Sequence, residues 1–186
     1  MQERKLTLTD MPEPLLIVDV QPGFINEFTH HIPQRVVRLI QRDEYAPVLF
    51  TRFINADDGP YCRFLDWYAC NNDQETTLVP ELEPFAQPEL VFSKSGLCGM
   101  PDALAHYLRE QSIERISIVG IDTDMCVLKV AMDIFDIGIE PLILTDCCAS
   151  TAGLQAHLAG LAVLSRNIGA KRLRDAGLSG GMLAAP

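Results

Sequence analysis

Three residues widely separated along this 186-residue chain share one setting, the downstream end of an apolar run. Asp19 lies in Leu15-Leu16-Ile17-Val18-Asp19-Val20, where a carboxylate is costly to bury unless it is paired or hydrogen-bonded. Lys94 follows Glu89-Leu90-Val91-Phe92-Ser93, and Cys126 stands a short turn beyond Arg115-Ile116-Ser117-Ile118-Val119-Gly120. A carboxylate, an ammonium and a thiol in one place supply a general base, a charge that offsets developing negative charge, and a nucleophile. Those are the parts of covalent acyl transfer. Each residue alone has a plainer reading: Asp19 as a turn cap, Lys94 as a solvated lysine, Cys126 as a small apolar side chain. Their common position at strand ends is what favours chemistry, because ligands of open parallel α/β sheets bind beyond the carboxyl ends of the strands.

With Asp122 or Thr123 as N-cap, Cys126 falls in a first helical turn. The helix dipole and free N–H groups there favour a thiolate, while Asp122 and Asp124 oppose it. The same N–H groups are suited to hold an oxyanion. Arg52 and Asn55, just past the second apolar run, are candidates for gripping a polar or carboxylate-bearing substrate. Phe24, Phe64, Trp67 and Tyr68 either wall an apolar pocket or anchor a long loop. Ser95-Gly96-Leu97-Cys98-Gly99 precedes a helix and could cradle an anion. Neither G-x-G-x-x-G nor G-x-x-x-x-G-K-[ST] occurs, which argues against nucleotide binding.

The elements that must position these groups follow from periodicity. Residues 15–20 read as a buried strand ended by Gln21-Pro22-Gly23, and the unbroken apolar run fits a parallel sheet covered on both faces. A helix is expected over 33–44, a second strand over 46–51, a third over 89–93, a helix over 101–110 and a fourth strand over 115–120. A helix over 126–136 stops at Gly138, followed by a fifth strand over 139–145, a helix over 151–164 and a short sixth strand over 169–174. Residues 54–88 carry Pro60, Pro80, Pro84, Pro88 and the single tryptophan with little periodicity, an irregular excursion of functional length. The tail, 178–186, is expected to fray. The alternation implies β-α-β units, so one domain spanning 1–186 is expected. Its fold is a three-layer α/β/α sandwich on a mainly parallel sheet of about six strands.

Composition narrows the partners. The 48% of hydrophobic residues excludes a disordered chain. Fifteen Lys and Arg against 25 Asp and Glu give a net charge of −10, and no basic run exceeds two residues. No nucleic-acid or anionic-membrane partner is expected. No apolar run approaches the ~18 residues of a membrane span, and Met1–Thr9 lacks the apolar region of a signal peptide. The six cysteines therefore read as reduced thiols of a cytoplasmic protein. There is no C-x-x-C. The other five, the vicinal Cys147-Cys148 included, read as small buried side chains.

The strand and turn LLIVDVQPGF, the lysine in VFSKSG and the block VGIDTDMCV together resemble the isochorismatase-like cysteine hydrolase superfamily over residues 15–174. That superfamily includes nicotinamidases, N-carbamoylsarcosine amidases, ureidoacrylate and biuret hydrolases, and isochorismatases. The G-[IV]-x-T-D-x-C-V block is the specific part. The resemblance implies an Asp19-Lys94-Cys126 triad, a cis peptide at Ile121-Asp122, and an oxyanion hole made by the backbone amides of Asp122 and Cys126. There are departures. Nicotinamidases carry a metal site with a D-x-H-like pattern after the second strand, whereas this chain reads Phe50-Thr51-Arg52-Phe53-Ile54-Asn55-Ala56-Asp57-Asp58. Its histidines, His30, His31, His106 and His157, lie elsewhere. No metal and no cofactor are expected. Retention of Cys126 favours cleavage of an amide or ureido C–N bond of a small molecule. The alternatives are vinyl-ether hydrolysis, which needs no cysteine, and a non-catalytic binding module. A homo-oligomer, dimer or tetramer, is expected.

Overall fold

The computed structural model describes residues 12–178. The expectations for Met1–Thr9 and for the tail fall, Leu178 apart, outside the described residues. Six strands form one sheet: β1 (Glu13–Val18), β2 (Tyr45–Phe53), β3 (Val91–Lys94), β4 (Arg115–Ile121), β5 (Glu140–Ala149) and β6 (Leu173–Arg174). Their order is β3-β2-β1-β4-β5-β6, and every pairing is parallel. The order in which strands are added reverses between β1 and β4, the switch point at which such sheets leave a crevice.

The unbroken apolar run of β1 is explained by its two faces. Leu16 and Val18 pack with Leu104 and Leu108 of α4 (Asp102–Glu110), Val130 and Ile134 of α5 (Leu128–Asp136) and Leu164 of α6 (Leu154–Leu164). Leu15 and Ile17 pack on the other side with Ile32, Val36 and Leu39 of α1 (Ile32–Ile40) and with Leu78, Val79 and Leu82 of the excursion. Alternate residues of one strand thus feed two cores, which is the three-layer α/β/α sandwich expected.

The excursion is more ordered than its composition suggests. It contains two short helices, α2 (Pro60–Leu65) and α3 (Asp73–Thr76), and folds over the carboxyl end of the sheet. The buried amide of Gln21 fastens it there. Its Nε2 donates to the carbonyls of Phe53 and Thr76, both at 2.9 Å, while its Oε1 accepts from the Phe53 N–H at 2.7 Å. Lys94 is the last residue of β3, whereas the sequence reading placed it just beyond the strand. The fifth strand runs four residues past its expected end and includes Cys147 and Cys148. Both are buried free thiols.

Candidate active site

Asp19 leaves β1 with φ of +50°, a left-handed conformation that Asp tolerates better than most side chains. The turn aims its carboxylate along the end of the sheet. Thr51, near the end of β2, donates its hydroxyl to Asp19 Oδ1 at 2.7 Å. Lys94 Nζ lies 2.6 Å from Asp19 Oδ2, and both side chains are fully shielded from solvent. The same ammonium donates to Cys126 Sγ at 3.4 Å. Three strands on both sides of the switch point therefore bring one carboxylate, one ammonium and one thiol into contact. Close approach of β4 to β1 is possible because Gly120, opposite Val18, has φ of +128°; a Cβ there would come within 2.1 Å of the Val18 carbonyl oxygen.

Electrostatics follow from this burial. Desolvation pulls the Lys94 pKa down, but the charge of Asp19 and the contacts with Asp19 and Cys126 outweigh it, and the ammonium is held above the usual lysine range. Burial pushes the Cys126 thiol up, and Asp19 adds to the rise against the opposing pull of Lys94. Placement at a helix start left the state of the thiol open; desolvation and the Asp19 carboxylate together outweigh Lys94 and favour the protonated form.

The turn that carries Cys126 is a single π-helical turn, Thr123–Val127, ahead of α5. The Asp122 carbonyl accepts the N–H groups of Met125 and Val127, at 3.2 and 2.9 Å. The Ile121–Asp122 peptide is cis. Neither suggested N-cap acts as one through its side chain. Thr123 Oγ1 pairs with His157 Nδ1 of α6 at 2.8 Å, and the Asp122 carboxylate turns to Thr151, taking its N–H at 2.6 Å and its hydroxyl at 2.8 Å. Burial raises Asp122 to about 6 against those two hydrogen bonds.

The family of the fold is decided by the whole chain. A sequence model of the isochorismatase domain matches residues 13–172. The chain belongs to the isochorismatase family. Solved structures agree with the fold. An isochorismatase-like hydrolase from Alkaliphilus metalliredigens is 19% identical with a TM-score of 0.76, over 89% of this chain and 96% of that one. N-carbamoylsarcosine amidase from Thermoplasma acidophilum is 18% identical with a TM-score of 0.71, over 92% and 100%. Nicotinamidase from Bacillus subtilis is 21% identical with a TM-score of 0.68, over 89% and 100%. At these identities the likeness speaks for the fold and not for the substrate. Family members are hydrolases.

Within this isochorismatase-family domain, the remaining sequence candidates separate. Phe24 and Trp67 stack at 6.0 Å between ring centroids, and both meet Phe53, at 5.8 and 6.1 Å. Tyr61 completes the cluster, 5.6 Å from Phe53 and 5.4 Å from Trp67, and Lys94 Nζ sits 5.4 Å from the Phe53 ring. Burial raises the Tyr61 pKa, and its ring contacts with Phe53 and Trp67 put this phenol beside Lys94. Phe64 and Tyr68 do not join the wall; they are 72% and 56% exposed. Sequence reading missed Phe53 and Tyr61, although strand alternation placed Phe53 on the face of Thr51. Asn55 is buried and spends its Nδ2 on the carbonyls of Trp67 and Ala69, at 3.0 and 3.1 Å, so it fastens the excursion. Arg52 points to the other face of the sheet, where its guanidinium meets Ser93 Oγ at 3.0 Å. The structure does not bring Arg52 to the thiol.

Immediately after the Ser95–Gly99 turn, the Met100 N–H donates to a carboxylate of the same chain, Asp133 Oδ2, at 3.2 Å. Cys98 is exposed, which corrects its reading as a buried side chain; the turn before α4 leaves it outside both cores. The metal pattern known from nicotinamidases does not fit the residues present. Asn55 occupies the stretch after β2 with its amide committed to two carbonyls, and no group of three or more His, Cys, Asp or Glu able to hold an ion occurs among the described residues. No described helix is long and apolar enough to cross a membrane.

Gly160 of α6 presses on the turn that carries the thiol. A Cβ there would stand 2.7 Å from Asp124 Cα and 2.8 Å from Asp124 N and Thr123 C, all backbone atoms. Gly160→Ala is expected to push the turn out of place. Stability should fall by about 1–3 kcal/mol, and any reaction at Cys126 should slow by at least about tenfold. Urea midpoints and acylation rates of the variant check both.

Proposed function

We propose that this chain is a metal-independent cysteine hydrolase that cleaves an amide or ureido C–N bond of a small molecule through a Cys126 thioester. The observation that carries this reading is the buried contact chain in which one ammonium touches both the Asp19 carboxylate and the Cys126 sulfur. Because the resting thiol is neutral, its proton must leave as the sulfur attacks. Asp19 accepts that proton while Cys126 bonds to the substrate carbonyl carbon. The carbonyl oxygen takes up negative charge and is held by the backbone N–H groups of Asp122 and Cys126. The C–N bond then breaks; the nitrogen leaves as ammonia or an amine, carrying the proton from Asp19. A water molecule gives a proton to Asp19 as its oxygen attacks the thioester. The acid product leaves, and the proton returns to sulfur. Lys94 stays charged throughout, orienting Asp19 and offsetting the negative charge that passes through the site.

The test is a pre-steady-state experiment with an activated acyl donor, p-nitrophenyl acetate. A burst of p-nitrophenolate close to one equivalent of protein is expected, together with an acid-quenched mass gain of one acetyl group on the peptide containing Cys126. Acetyl found only on the exposed Cys98 would overturn the assignment. In steady state, EDTA should leave turnover unchanged; loss with EDTA and recovery with zinc would refute the metal-free claim.

A further inference from the structure

The proposed mechanism uses Asp122 only for its backbone, yet its side chain is a buried carboxylate at the edge of the reaction site. A carboxylate in that place is doubly unfavourable. Its burial is costly, and its charge opposes the negative oxygen that acyl transfer builds beside it. Asp19 and Asp124 stand near enough to add to that repulsion. Small apolar residues would fill the position without either cost, so the contacts of the carboxylate indicate what it contributes.

Both oxygens are used. Oδ1 takes the Thr151 N–H at 2.6 Å and Oδ2 takes the Thr151 hydroxyl at 2.8 Å, so one residue beyond β5 grips the carboxylate in two places. The Thr151 carbonyl in turn accepts Asn26 Nδ2 at 2.9 Å. Asn26 is bound to Thr29, whose hydroxyl donates to the carbonyl of Phe24 at 2.7 Å. At its other end Asp122 is held by its own carbonyl, which receives Met125 and Val127 N–H. The residue is therefore clamped at two points, its carboxylate and its carbonyl, both one Cα away from its peptide N–H. The clamp runs from the Cys126 turn through the loop after β5 to the segment that bears the Phe24 ring.

We infer that Asp122 is a positioning residue: gripped by Thr151, its carboxylate fixes the orientation of the peptide N–H groups that polarise the substrate carbonyl. The inference rests on the thioester reading above and adds a side chain to it. It acts on the oxyanion and not on the sulfur, and this separates two reactions of the same thiol. Acylation by p-nitrophenyl acetate passes through a tetrahedral oxyanion. Alkylation by iodoacetamide is a direct displacement at carbon, with iodide leaving, and forms no oxyanion.

The experiment measures both rates at Cys126, by mass spectrometry of its peptide, in a Cys98→Ser background that removes the exposed competing thiol. Asp122→Ala is expected to slow acylation about 10²-fold while alkylation changes less than about threefold. Asp122→Asn retains an acceptor for the Thr151 N–H and offers an N–H to the Thr151 hydroxyl, and should recover acylation to within about threefold. Thr151→Val removes one of the two grips without touching Asp122, and serves if Asp122→Ala does not fold. It should lower the acylation-to-alkylation ratio about fivefold. Equal losses in the two reactions, or an unchanged ratio in every variant, would overturn the positioning role. If neither reagent marks Cys126 in the Cys98→Ser protein, the thioester reading itself fails, and this inference fails with it.

Discussion

Asp19→Asn should lose both activity and stability, and the stability loss should shrink at high pH. The substitution preserves shape, and the amide oxygen can keep the Thr51 hydroxyl bond found at 2.7 Å. The Nδ2 group then faces the Lys94 ammonium, donor against donor, in a pair fully shielded from solvent. Breaking a buried ion pair from one side typically costs about 3–5 kcal/mol, because the remaining charge is left uncompensated. Removal of the base that takes the thiol proton should lower turnover and acetyl transfer by about 10²–10⁴-fold.

The pH dependence has a definite sign. In the unsubstituted protein, Lys94 titrates higher folded than unfolded, so its contribution to stability is complete below the ordinary lysine value near ~10.4 and is lost as pH rises through the folded value. In Asp19→Asn the carboxylate is gone and desolvation, the largest influence on Lys94, is opposed only by Cys126, so the folded value is expected to fall below the unfolded one. The variant is then penalised wherever Lys94 must be charged, and relieved as pH rises. Urea denaturation at pH 7 and at pH 10 should show a deficit relative to the parent that narrows with pH. A deficit that is constant or grows would mean that the ion pair does not dominate this cluster.

Cys126→Ala should separate activity from stability. It removes the atom that bonds to the substrate and leaves the Lys94–Asp19 contact of 2.6 Å untouched. Amide and ureido hydrolysis should drop by about 10⁴-fold or more, the scale on which loss of a covalent nucleophile is felt. The folded state should change by no more than about 1 kcal/mol, because Sγ is the only heavy atom lost and Lys94 keeps its carboxylate. This contrast with Asp19→Asn distinguishes a nucleophile from a structural member of the cluster. It also tests the competing chemistry: hydrolysis of a vinyl ether that survives the substitution would move the protein to the isochorismatase type of reaction. Ligand binding without any acyl adduct would make it a binding module. Both outcomes would refute the thioester.

Family and fold were legible because each leaves a local signature. An unbroken apolar run such as Leu15 to Val18 marks a strand covered on both sides, and alternating strands and helices leave one arrangement of layers. Asp19, Lys94 and Cys126 could be picked out because polar groups are conspicuous at the ends of such runs. The excursion was less legible. Its helices, α2 and α3, are too short to show a period, and the segment is held by Gln21 and Asn55, whose amide groups bond to backbone carbonyls 55 and 12 residues along the chain. A side chain that serves a distant carbonyl leaves no pattern in its own neighbourhood.

The amino-acid sequence by itself determined the apolar runs, the helix periods, the motif block and hence which three side chains stand at strand ends. The tertiary structure decided what those side chains experience. Only the assembled sheet places Lys94 between Asp19 and Cys126, turns Arg52 away, joins Tyr61 and Phe53 to Trp67, and gives the Asp122 carboxylate to Thr151. Contact and desolvation depend on neighbours remote in the chain, so the charge state of the thiol and the partners of each carboxylate arise only when β1, β3, β4 and β5 come together.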